Sequence, residues 1–260
     1  MKYISSRSYP RSSGSITLIL LSLFLVVFGA LRIDAVIALD SASIDWDPIL
    51  YIGDSDPADD QQTSNGGGEA DIVGDALNAA LFKQYNAGSD QLAFRLRLGG
   101  DDNPAGYTSA TLIAFDIGGD GILDGYIGVE ENAIGPGNTK HDIGIFAFSG
   151  VADTPNNTES VLASPASPLA SYEADSTNYN WSSVSSIDGG PNDVDGFGND
   201  DYFLSFAVNF SDLTTHLGIE EDTVLGFVAI TSQNLQQINN DFNGIDNNCL
   251  LYTSPSPRDA

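Results

Sequence analysis

Gln91-Leu92-Ala93-Phe94-Arg95-Leu96-Arg97-Leu98 decides the class of this chain. Leu92, Phe94, Leu96 and Leu98 fall on one side and Gln91, Arg95 and Arg97 on the other, the two-residue period of a strand with one apolar face. Residues 202–210 (YFLSFAVNF) repeat the pattern, with Tyr202, Leu204, Phe206, Val208 and Phe210 together. Further strand-like runs occupy 111–117, 126–130, 143–148 and 224–231, each bounded by Gly, Asn, Asp or Pro. Short strands separated by turn-rich loops predict an all-β chain: one antiparallel β-sandwich, jelly-roll-like, with a single short helix over 211–218, where an early acid and a terminal Gly punctuate the segment. Too few helical segments exist for a parallel α/β fold. Residues 70–85 (ADIVGDALNAALFKQY) have helical composition, yet Gly74 and the turn at Asn86-Ala87-Gly88 leave a strand over 79–85 equally open. The Pro/Ser/Thr-rich stretch 153–171 reads as a long exposed loop.

Charge narrows the functional classes. Residues 39–248 hold 34 acidic side chains against four basic ones, Lys83, Arg95, Arg97 and Lys140. Such a surface repels phosphate backbones and anionic lipid, which argues against nucleic-acid partners and against membrane insertion of the mature domain. With 42% hydrophobic residues the chain is too apolar for an acidic disordered tail, so the charge decorates a core.

Both ends read as foreign to that core. Lys2, Arg7 and Arg11 precede the apolar run 16–30 (ITLILLSLFLVVFGA), the pattern of a secretory signal peptide, and Val36-Ile37-Ala38 best meets the small-x-small cleavage rule. The expected signal peptide is 1–38, with Ala35 and Ala30 as alternative cleavage points and a retained anchor helix as the alternative reading. At the other end, 249–260 (CLLYTSPSPRDA) resembles the in-frame translation of a transposase-type sequencing adapter. Setting it aside leaves 39–248 as an acidic sandwich domain, extracellular or at the cell surface, incomplete at its C-terminus, with at least one further strand and then a plain end or an anchoring segment expected downstream. It also removes Cys249, the only cysteine, and with it any disulfide, thiolate or Cys zinc site.

Acidic loops therefore carry the expected chemistry. Asp116, Asp120 and Asp124 occupy positions 1, 5 and 9 of a segment with Gly121 at position 6, a spacing that can turn carboxylates inward on calcium. Gly118 at position 3 and Ile127 at position 12 make it no EF-hand, and a tight β-turn built from Asp and Gly is the competing reading. Asp193, Asp195, Asp200 and Asp201, in a Gly/Asn-rich loop, form the second-choice calcium set; Asp188 lies nearby, and further acidic clusters fall at 45–60 and 241–246. Arg95 and Arg97, sharing the outward face of one strand, either grip an anionic ligand or pair with neighbouring carboxylates. The two histidines, His141 and His216, belong to no zinc or nucleophile motif, so the expectation is a non-enzyme. A polysaccharide-active enzyme using an Asp/Glu pair and a purely structural or adhesive protein are the rivals.

The order of 70–75 (ADIVGD), 92–98 (LAFRLRL), the hairpin from Phe115 through Gly125-Tyr126-Ile127-Gly128-Val129, and 199–206 (NDDYFLSF) resembles a group of exported bacterial proteins whose central part is similar to the β-sandwich of the DOMON and family 9 carbohydrate-binding modules. The resemblance implies a non-catalytic module for carbohydrate or extracellular matrix, with Trp181 able to stack on a sugar ring, and a PEP-CTERM-type sorting signal beyond residue 248.

Overall fold

The structure is a computed structural model that describes residues 35–50, 67–75, 77–101, 106–131, 141–148, 159–160, 168–189, 192–235, 237–238 and 240–242. Residues 1–34 of the expected signal peptide, the 51–66 part of the N-terminal acidic cluster, most of the Pro/Ser/Thr-rich stretch and everything after Phe242 lie outside the described residues.

Two antiparallel sheets face each other. The first orders β1 (Asp47–Ile49), β2 (Leu81–Asn86), β3 (Gln91–Leu98), β10 (Tyr202–Asn209) and β9 (Tyr179–Ser183). The second orders β13 (Asp241–Phe242), β11 (Leu225–Ser232), β4 (Ala110–Ile117), β5 (Gly125–Glu130), β6 (Ile143–Ala147) and β8 (Ala170–Tyr172). A small two-stranded ribbon joins β7 (Glu159–Ser160) to β12 (Gln237–Ile238). The chain crosses between sheets from β3 to β4 and again from β10 to β11, and because β3 lies beside β10 and β4 beside β11, the two crossings interlock.

The sandwich core contains the side chains the alternation placed there. Leu92, Phe94, Leu96, Leu98, Leu204, Phe206 and Val208 meet Ile113, Phe115, Ile127, Val129, Ile143, Ile145 and Ala229 of the opposite sheet. Phe94 is the central contact, with ring centroids 6.1 Å from Phe115, 5.5 Å from Phe227 and 6.4 Å from Phe206. The segment 79–85 resolves as strand, since Leu81–Asn86 pairs with Gln91–Leu98 around the turn at 87–90.

The outer faces correct the one-sided picture. All eight residues of β3 are buried. The segment 37–46 lies over the first sheet, where Ile37, Leu39 and Trp46 pack with Phe82, Ala93, Val184, Phe203 and Ala207. On the second sheet Leu235 and Phe242 cover Ala110, Leu112, Ala114, Tyr126, Phe146, Val228 and Ile230. Arg95 and Arg97 therefore do not face solvent as the alternation implied: Arg95 is 0% exposed and Arg97 3%. The region after β11, read as turn, also contributes β13 to the sheet edge.

Two helices occur among the described residues rather than one. Val184–Ile187 is a single turn, and Phe210–Leu217 is the expected helix, ended by Gly218 in the left-handed conformation at φ 70°. Its start differs from expectation, because the cap comes from another hairpin: the Ser211 N–H (3.0 Å) and hydroxyl (2.5 Å) donate to the Asp90 carboxylate, and the Phe210 N–H donates to the Asp90 carbonyl at 2.8 Å. Asp90, at φ 55°, closes the β2–β3 turn as well, so one residue ties the hairpin to the helix. No helix among the described residues is long and apolar enough to cross a membrane.

Candidate functional site

Antiparallel pairing brings the end of β3 against the start of β10, with Leu98 opposite Tyr202 and Arg97 opposite Phe203. The next residue back along the chain from Tyr202, Asp201, is thereby held beside Arg97, and Arg97 Nε donates to Asp201 Oδ2 at 2.6 Å with both side chains buried. Pairing with a neighbouring carboxylate, one of the two readings of this arginine, is what the geometry contains.

Around Asp201 the loop 192–201 closes on itself. The Asp201 N–H donates to the Asn192 carbonyl, and the Val194 N–H donates to Asp201 Oδ2 at 3.1 Å. Asp193 accepts the N–H groups of Gly196 (2.7 Å) and Gly198 (2.9 Å), and Asp195 accepts that of Phe197 (3.1 Å). Gly196 and Gly198 have φ of 81° and 85°, which a side chain at either position would strain. A Cβ at neighbouring Gly99 would stand 2.7 Å from Asp195 Oδ2 and so displace that carboxylate, with Asp71 Oδ2 at 3.4 Å.

The result is a convergence of carboxylates. One oxygen from each of Asp193, Asp195 and Asp201 lies within 4.8 Å of the others, the sole such group of three metal-ligating side chains among the described residues. Asp201, 0% exposed, keeps Oδ1 buried without a hydrogen-bond partner. Burial pushes the Asp195 carboxyl up to about 6, with Asp193 and Asp201 adding to the effect, while a hydrogen bond with Asp195 holds Asp193 below the ordinary range. Burial also raises Asp201, against the lowering influence of Arg97. Three carboxylates, one of them buried with an unpaired oxygen, suit a hard divalent cation rather than zinc or copper. Of the second-choice set, Asp200 turns away and accepts from Ser185 Oγ (2.7 Å) and from Asn192 Nδ2.

The preferred set behaves otherwise. Asp116, Asp120 and Asp124 do not converge to within that distance. Asp116 is fully buried beneath its own turn and accepts from the N–H groups of Gly119, Asp120 and Gly121, each at 3.1 Å. Asp120 accepts from the Ile122 N–H, and Asp124 from the Ile117 N–H at 2.7 Å. Gly118, Gly119 and Gly121 all have positive φ. The motif is accounted for by turn chemistry between β4 and β5. A better signal was present in the sequence: counted from Asp193, the aspartates stand at 1, 3 and 9 with Gly198 at position 6. Asp71, which borders the group through space, is 122 residues from Asp193 in sequence and could be found only in three dimensions.

Arg95 lies elsewhere on the first sheet. Its guanidinium sits between the Trp46 ring at 4.3 Å and the Phe203 ring at 4.8 Å, and donates to the Leu39 carbonyl (2.8 Å) and to Ser205 Oγ (3.0 Å). Burial pulls it down to about 10, still charged at neutral pH. No face of Arg95 is left for a soluble ligand.

Trp181, on edge strand β9, belongs to an aromatic corner between the sheets. It stacks on Tyr202 at 4.8 Å and tilts against Tyr107 at 5.2 Å, while His141 stacks on Tyr179 at 4.8 Å. His141, at φ 64°, contacts the Tyr107 carbonyl through Nε2 at 2.6 Å. Trp181 Nε1, Tyr179 Oη and Asn180 Oδ1, consecutive along β9, are all buried without a hydrogen-bond partner. His216 is exposed in the last turn of the longer helix.

No protein-family model, curated protein or solved structure matches this chain. The functional reading rests on the geometry above.

Proposed function

We propose that this chain is an exported, non-catalytic β-sandwich that calcium locks at Asp193, Asp195 and Asp201, serving as a binding or structural module in extracellular polysaccharide or matrix. The observation that carries the calcium reading is the convergence of the Asp193, Asp195 and Asp201 carboxylates, the last of them buried with one oxygen unpaired. A buried acceptor without a donor costs free energy, and like charges this close repel, so a divalent cation relieves both at once.

Thermal melts in calcium and in EDTA test it. A ligand that binds only the native state adds about 2.7 kcal/mol at a hundredfold excess over Kd; for a domain of this size that is about 5–10 °C in Tm. Asp195→Asn is expected to abolish the calcium increment yet raise Tm in EDTA at pH 7, because it removes one of the mutually repelling charges. The pH dependence follows. An acid raised above its unfolded value contributes stability that is fully present below the unfolded pKa and is lost as pH rises through the folded one. The wild type in EDTA should thus lose stability relative to Asp195→Asn between about pH 4 and pH 6. Asp116→Asn serves as the control, lowering Tm equally in both buffers. Equal wild-type midpoints in calcium and EDTA would sink the reading.

A glycan-binding role draws on the aromatic corner, where the partly exposed Trp181 stacks on Tyr202 beside Tyr107. Retention on immobilised polysaccharides without release of reducing ends is expected, with Trp181→Ala reducing retention at least tenfold. Turnover that a single carboxylate substitution abolishes would favour an enzyme instead.

A further inference from the structure

The compact unit holding both sheets begins at Val36, three residues before the boundary that the small-x-small rule favours. Segment 37–46 is a strap over the outer face of the first sheet, and Ile37 holds its start. The Ile37 side chain is 4% exposed, and its N–H donates to Gln91 Oε1 at 2.9 Å. Leu39 is 3% exposed and its carbonyl accepts from Arg95. Ser43 fastens the far side, donating to Asp188 through its N–H (2.7 Å) and its hydroxyl (2.5 Å), before Trp46 closes over the guanidinium.

Cleavage after Ala38 would remove Ile37 with its buried surface and its hydrogen bond. It would also create a charged α-ammonium on Leu39, the residue whose carbonyl contacts the buried Arg95, setting two positive charges side by side in a site that excludes water. Cleavage after Ala35 has neither cost. Val36 is 52% exposed, so its new ammonium stays hydrated, and the strap is kept whole.

We propose, resting on the export reading above, that the processed bond is Ala35–Val36 and that the mature domain retains Val36, Ile37 and Ala38 as the start of a strap that buries Arg95. A host signal peptidase hydrolyses this peptide bond: water supplies hydroxyl to the Ala35 carbonyl carbon and a proton to the departing Val36 nitrogen, and the leader leaves as a carboxylate.

The test is intact mass and N-terminal peptide sequencing of the full chain secreted with its own leader. A mature start at Val36 is expected. Ala38→Leu should leave that start unchanged, and Ala35→Leu should block or move it. A start at Leu39, or loss of processing in Ala38→Leu, overturns the proposal while leaving export standing; a start at Leu31 overturns the assigned bond. An intact leader on the exported wild type overturns the export reading and this proposal with it. Independently, Ile37→Ala in the secreted chain should lower Tm by about 4–20 °C, the scale of truncating a buried isoleucine in a domain of this size. An unchanged midpoint would show that the strap contributes nothing and overturn the proposal from the structural side.

Discussion

Replacing Arg97 by Met should cost about 3–5 kcal/mol of stability, the scale for breaking a buried ion pair by removing one partner. Arg97 and Asp201 are 4% and 0% exposed in their side chains and meet at 2.6 Å. Methionine fills much the same volume, so the loss reports the orphaned carboxylate rather than a cavity. Two further measurements give the result its meaning. Asp201→Asn in the Arg97→Met background should recover most of the deficit, because the uncompensated charge is gone. Calcium should shrink the deficit of the single variant, because the ion replaces the missing positive charge beside Asp193, Asp195 and Asp201. A loss below about 1 kcal/mol, in the range of exposed pairs, would show that Asp201 is solvated and would remove the main support for a cation there.

Phe94→Ala is expected to destabilise by a similar amount, about 3–5 kcal/mol, for a different reason. Phe94 is fully buried and touches Phe206 in its own sheet and Phe115 and Phe227 in the other. Its truncation opens a cavity at the place where the sheets are joined, and the rigid strands on either side limit collapse. Phe94→Leu should cost distinctly less, since most of the volume is kept. Urea unfolding reads both, with the midpoint falling and the slope m unchanged if the two sheets unfold together. A separate early transition for one sheet in Phe94→Ala would mean that the interlocked crossings do not couple them.

The strands were legible because their signal is local. Period-two alternation over 91–98 and 202–210 needs no information from elsewhere in the chain, and both runs appear in the fold within a residue of their expected ends. The candidate site was only half legible. Asp193, Asp195 and Asp201 stood in the sequence as one of several acidic loops, while Asp116, Asp120 and Asp124 looked the better match. What separated them was the use of each carboxylate: both oxygens of Asp116 accept from N–H groups of its own turn, whereas Asp201 is held beside β10 at a point where one oxygen has no donor. Spacing encodes where ligands stand along the chain, not whether backbone donors have already claimed them.

By itself the sequence determined an acidic β-sandwich with a defined set of inward apolar residues, because alternation, turn residues and charge balance are properties of neighbouring positions. Only the tertiary structure decided the fate of the opposite face. A strand pattern states that Arg95 and Arg97 share a side, and solvent is the default for such a side. Here a strap from far up the chain covers Arg95, and a carboxylate 104 residues from Arg97 neutralises it. Burial of a charge depends on which distant segment arrives to pair with it and exclude water, and that is settled by long-range packing rather than by any local run of residues.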